Sequence, residues 1–139
     1  MFAWSYKSYG APDVLEKVNI PTPIPKPKEV LIRIYATTVS AGDWRARSLT
    51  MPKGLGLIGR LVFGITGPRK PILGTEFSGV VEAVGAEVTN YSPGVTVIGF
   101  PGASFGAHAE FITMPAGGKL TLKPDNITFE KAAAIPFGA

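Results

Sequence analysis

From Met1 to Tyr9 the chain alternates with a period of two, setting Phe2, Trp4 and Tyr6 against Ala3, Ser5 and Lys7. That period puts successive side chains on opposite faces and predicts a half-buried strand with its aromatic side in the core. Gly10–Asp13 is a turn, and a short strand is expected over Leu15–Ile20. Prolines at 21, 23, 25 and 27 then impose an extended, polyproline-like connector, because each ring fixes φ and removes a donor. Glu29–Thr38 (EVLIRIYATT), rich in β-branched residues, is the strongest strand signal. Phe77–Val84, Val95–Phe100 and Ala107–Met114 read as further strands, and Leu120–Leu122 as another candidate. Helices are brief. Ser40 caps one over Gly42–Ser48, and Thr128 opens another through Ala134, with Glu130 in its first turn. Between them Leu55, Ile58, Val62 and Ile65 recur at helical spacing, interrupted by Gly56, Gly59 and Gly64. This predicts a short helix whose stripe covers a core, although the same stripe would suit a membrane or partner surface. Six or seven short strands with short helices give a mainly β domain, a barrel or sandwich.

Composition narrows the chemistry. The 139 residues suit one domain, residues 1–139, and 45% apolar content against 17% charged supplies a core. Glycine and proline, at 17 and 13, favour turns and strands over a helical bundle. No cysteine is present, so disulfides, thiolate zinc sites and cysteine nucleophiles are excluded, and His108 is the one histidine. His108 falls in a predicted strand and is expected to be a hydrogen-bonded structural residue. No apolar run is long enough for a membrane span and no secretory leader is visible, which points to the cytoplasm. The net charge is +4, and all six charges between Asp43 and Glu76 are cations: Arg45, Arg47, Lys53, Arg60, Arg69 and Lys70. Such a stretch is either a solvated loop or an attractor of phosphate or an acidic surface.

Gly54-Leu55-Gly56-Leu57-Ile58-Gly59 matches G-x-G-x-x-G by letter. The fingerprint binds a dinucleotide only where a buried strand leads into it and a helix N-terminus meets the pyrophosphate. Arg47–Lys53, with Pro52 beside the turn, is no such strand, so no cofactor loop is expected here. The sequons Asn90-Tyr91-Ser92 and Asn126-Ile127-Thr128 read as a turn and a helix entry.

Gly74-Thr75-Glu76-Phe77-Ser78-Gly79-Val80-Val81-Glu82-Ala83-Val84-Gly85 is more specific. Its glycines punctuate a β-rich run, as where a strand bends or another backbone comes close. The run resembles the G-[HT]-E-x-x-G-x-V-x-x-V-G segment of medium-chain dehydrogenases/reductases. The resemblance extends over almost the whole chain. Upstream are YGAPDVLE, the proline connector, EVLIRIYATTVS, Asp43 and Arg47; downstream are YSPGVTVIGF, GAHAEFITMPA and LTLKPDNITFEKAAAIP. It implies a GroES-like, partly open β-barrel with short helices. This is the N-terminal catalytic domain of those enzymes, and their Rossmann cofactor domain is absent from this chain.

Zinc members of that family carry Cys at the position of Ser40 and His at that of Thr75. Hydroxyls are poor zinc ligands. The resemblance therefore implies the zinc-independent branch, in which NADPH, held mainly by the missing domain, reduces a small-molecule quinone or enone by hydride transfer. Ser40, Arg45 and Thr75 match positions lining the cofactor and substrate cleft; no catalytic acid or base is assigned, and no metal site. Two departures are expected to matter: Val95 stands for the usual Asp of a GD-type turn, loosening it, and Ser40 for an Asn common in zinc-free members. The isolated chain is expected to be inactive, and the full-length enzyme a possible homodimer. A rival from the charge pattern is a small basic barrel that binds nucleic acid or protein. The aromatics, alternating into the predicted core instead of joining the cations, weigh against it, and no nucleic-acid partner is expected.

Overall fold

A computed structural model describes residues 1–138. Its strands are β1 (Phe2–Tyr6), β2 (Leu15–Asn19), β3 (Glu29–Thr37), β4 (Phe77–Val84), β5 (Thr96–Gly99), β6 (Phe111–Pro115) and β7 (Leu120–Leu122). The helices are α1 (Ala41–Ser48), α2 (Gly56–Phe63), α3 (Phe129–Ala133) and α4 (Ile135–Gly138). β1 and β2 form a two-stranded sheet, and the others a five-stranded antiparallel sheet in the order β6-β3-β4-β5-β7. The larger sheet curls into a half-barrel, the expected GroES-like fold. No helix among the described residues is long and apolar enough to cross a membrane.

β3 lies between β4 and β6, which explains its apolar run: Val30, Leu31 and Ile32 are all buried. Val30, Ile32, Phe77, Val81, Val97 and Ile112 form the barrel core. A second cluster, Tyr6 with Ala46, Leu73 and Phe105, joins β1 to α1 and the loops. The turn before β5 stays closed despite Val95: Gly94 N donates to Val81 O at 2.8 Å and Val95 packs on the barrel core.

Three expectations are corrected. In β1 the buried residues are Ala3 and Tyr6, whereas Phe2 and Trp4 are about half exposed. Ala3 bridges Ala109 and Trp4 N donates to His108 O, whereas the Phe2 and Trp4 side chains lie on the wall of an open cleft instead of against a core. The strand expected from Ala107 begins at Phe111, so His108 lies on the segment before it. The α2 stripe does not cover a core. Leu57, Ile58, Leu61 and Val62 are all exposed, and only Gly59 of that helix is buried.

Burial pushes the Tyr6 phenol up to about 12, with the charges of Tyr9 and Asp43 adding to the shift. Burial also raises Tyr91, and raises Tyr9 against the opposing pull of Arg60 and Arg69. Above the ordinary tyrosine value of 10.0 the folded protein thus holds protons that the unfolded chain releases. Stability should therefore fall as pH rises from about 10 to about 12. Thermal melts across that range should show the decline, with a shallower slope in Tyr6→Phe; an unchanged slope would exclude Tyr6 as a source.

Candidate active site

The site is built around α1. Ser40, in extended backbone, caps the helix and forms a capping box with Asp43. Ser40 N and Ser40 Oγ donate to Asp43 Oδ2 at 2.7 and 2.9 Å, and Asp43 N donates back to Ser40 Oγ. The other carboxylate oxygen accepts from Gly74 N at 2.8 Å. Asp43 is 2% exposed, so its charge is held by donors instead of water. Gly74 has φ +100, and an added Cβ would lie 2.6 Å from His108 N. That tight passage places Thr75 beside Ser40.

Thr75 Oγ1 donates to Ser40 Oγ at 3.2 Å. The Ser40 hydroxyl thereby uses its one proton and both lone pairs within the protein. Glu76 is buried too: Oε1 accepts from the Thr38 hydroxyl and Oε2 accepts from Phe137 N at 2.7 Å. His108 Nε2 lies 2.8 Å from Thr38 O and 4.0 Å from Asp43 Oδ2. A carbonyl only accepts, so Nε2 carries the proton there. The expected hydrogen-bonded histidine is present.

Helix α1 separates two clefts. The larger, about 680 Å³, is lined by Phe2, Trp4, Trp44, Arg47 and His108 among others. The smaller, about 590 Å³, brings Thr75 together with Arg45, Arg69 and Lys70 against Met51, Phe63, Phe100 and Phe137. Of the three residues singled out from sequence, Ser40 and Thr75 meet in the buried network, and Arg45 and Thr75 share the smaller cleft. Asp43, the hub, stood in the sequence only among the residues that carry the family resemblance; its Ser-x-x-Asp spacing from Ser40 is the local signal that could have placed it. Arg69 and Lys70 were legible only as members of the acid-free cationic stretch, and Phe137 had no local signal, since all three reach the cleft from segments distant from Thr75 or Arg45.

The donor set suits no zinc ion. The two matching positions carry hydroxyls already bonded to each other, and no group of three or more His, Cys, Asp or Glu side chains converges among the described residues. Gly54–Gly59 does not form a pyrophosphate cradle either: Pro52 and Lys53 precede it outside any strand, and Gly56 and Gly59 lie within α2. A Cβ at Gly56 would meet nothing within 4 Å. Gly56→Ala should therefore stabilise the chain by about 0.5–1 kcal/mol, read as a higher urea midpoint. A destabilisation would show that the position needs glycine.

Residues 26–125 match the alcohol dehydrogenase GroES-like domain. The chain is 35% identical over 131 residues to quinone oxidoreductase of Pseudomonas aeruginosa, covering 94% of this chain and 35% of that protein. It is 33% identical over 144 residues to 2-methylene-furan-3-one reductase of Solanum lycopersicum, covering 98% of this chain and 34% of that protein. Among solved structures, Escherichia coli quinone oxidoreductase complexed with NADPH superimposes with a TM-score of 0.76 at 27% identity, covering 97% of this chain and 37% of that one. The chain thus spans about a third of the length of the curated relatives it matches.

Proposed function

Because this chain belongs to the alcohol dehydrogenase GroES-like family, we propose that it is the substrate-holding domain of a zinc-independent, NADPH-dependent oxidoreductase. Its substrate would be a quinone or enone. The observation that carries this reading is the Thr75–Ser40–Asp43 chain, in which hydroxyls bonded to protein groups occupy the positions where zinc relatives place ligands. When bound, NADPH supplies a hydride, and a proton from solvent completes reduction of a quinone to hydroquinone or of an enone to the saturated ketone.

The chain's own residues form one wall of that reaction site. Phe63, Phe100 and Phe137 give a flat apolar ring a surface to lie on, and Arg45, Arg69 and Lys70 set positive charge beside it. Fixed cations stabilise negative charge that develops on a substrate oxygen. The hydroxyl protons of Ser40 and Thr75 are engaged inside the network, so their role is to position the β4 entry, Thr75–Phe77, and the start of α1. The pyrophosphate end of the cofactor belongs to a following Rossmann domain, and the reaction to the cytoplasm.

The test uses the chain alone and joined to such a domain. Alone, it should bind NADPH no tighter than about 1 mM, because part of a site still bears most of the cost of immobilising its ligand. The joined protein should oxidise NADPH with 1,4-benzoquinone or an enone, unchanged after dialysis against a chelator. Arg45→Ala should lower kcat/KM about tenfold, roughly 1.4 kcal/mol of transition-state stabilisation. Activity lost on dialysis and restored by zinc would overturn the reading, as would low-micromolar NADPH binding by the chain alone.

A further inference from the structure

Helix α2 is the least protected apolar element among the described residues. Leu57 is 73% exposed and Val62 61%, and Leu61, Ile58 and Ile65 are each exposed to at least half. The helix is nevertheless held in place. A Cβ at Gly59 would lie 2.7 Å from Met51 Cγ, Tyr9 donates its hydroxyl to Gly64 O at 2.8 Å, and Arg69 N donates to Phe63 O at 2.8 Å. An apolar face of this extent, rigidly presented, marks an interaction surface in a protein of this size. Its rim is basic: Lys53, Arg60, Arg69 and Lys70 are exposed around it, and residues 44–75 contain no acid.

We propose that α2 and these flanking cations dock the protein on an anionic lipid surface, with Leu57, Ile58, Leu61 and Val62 entering the headgroup boundary. Charge decides between occupants. A second copy meeting this face around a two-fold axis would bring the same four cations together with no acid of this segment to offset them. An anionic bilayer meets them with opposite charge, and each cation near the surface adds to the attraction. Val62, Arg69 and Lys70 also line the smaller cleft, so docking would set that cleft's mouth beside the lipid. The surface thus shares Val62, Arg69 and Lys70 with the proposed reaction cleft, but its test needs no turnover.

The chain is sedimented with vesicles of phosphatidylcholine alone and of equal parts phosphatidylcholine and phosphatidylglycerol. Partitioning should be at least about tenfold stronger onto the anionic vesicles, and should weaken as salt screens the charges. Leu57→Ser with Leu61→Ser should abolish binding while the far-ultraviolet circular dichroism is unchanged, since both side chains face solvent. Arg60→Gln with Arg69→Gln should remove the preference for anionic lipid. Equal partitioning onto both vesicles would overturn the proposal, as would full binding by the double serine variant. A lipid-free dimer abolished by the serine substitutions would assign the face to a second copy. Loss of vesicle binding on joining a following cofactor domain would assign it to that domain.

Discussion

Asp43→Ala should destabilise the chain by about 3–5 kcal/mol, a large part of the about 5–15 kcal/mol that a domain of this kind commands. The carboxylate accepts from Ser40 N, Ser40 Oγ and Gly74 N at 2.7–2.9 Å, at a residue 2% exposed. Removing it strands two backbone N–H groups and a hydroxyl where water does not replace their partner. The capping box also disappears, which loosens the first turn of α1. Asp43→Asn keeps one accepting oxygen but sets an amide N–H₂ against a donor, so its loss should be about half as large. Urea unfolding of the two variants beside the parent chain measures the difference. A loss below about 1 kcal/mol for Asp43→Ala would mean that the network reorganises around the gap.

Gly79→Ala should cost about 3 kcal/mol through overpacking. An added Cβ at that position would sit 2.2 Å from Arg33 O and 3.0 Å from Ile32 Cγ2, in the middle of the β3–β4 pair. The obstructing atom is backbone of the neighbouring strand β3, so relief requires parting the two strands. Gly79 pairs with Ile34, beside the register shift between Ile34 and Ala36. The same substitution at exposed Gly56 has the opposite expected sign, which separates steric crowding from any general effect of alanine. If Gly79→Ala matched the parent in urea, β3 and β4 would have to move apart freely.

Much of the secondary structure was legible because its causes are local. The β-branched run Glu29–Thr37, the prolines of the connector, the Ser40 and Thr128 caps and the glycine-punctuated strand after Gly74 each carry their signal within a few residues. The smaller cleft was only partly legible. Arg45 and Thr75 were found through resemblance, whereas Arg69, Lys70 and Phe137 come from segments with no periodicity linking them to it.

Composition and local pattern alone determined a turn-rich β domain without thiolate chemistry, a serine-capped α1 and a G-x-G-x-x-G run with no strand before it. Tertiary structure decided which residues of β1 are buried, Ala3 from one side of the strand and Tyr6 from the other. Alternation defines two faces but does not say what will cover each, and Trp4 is left half exposed on a cleft wall while Ala3 is buried. It likewise decided that α2 would keep its apolar side chains in solvent, since helical spacing specifies a stripe and not the surface that meets it. Most of all it joined Ser40 to Thr75 and Asp43 to Gly74, pairs 35 and 31 residues apart. Contacts at that separation arise from chain closure around the half-barrel, which no short window of sequence contains.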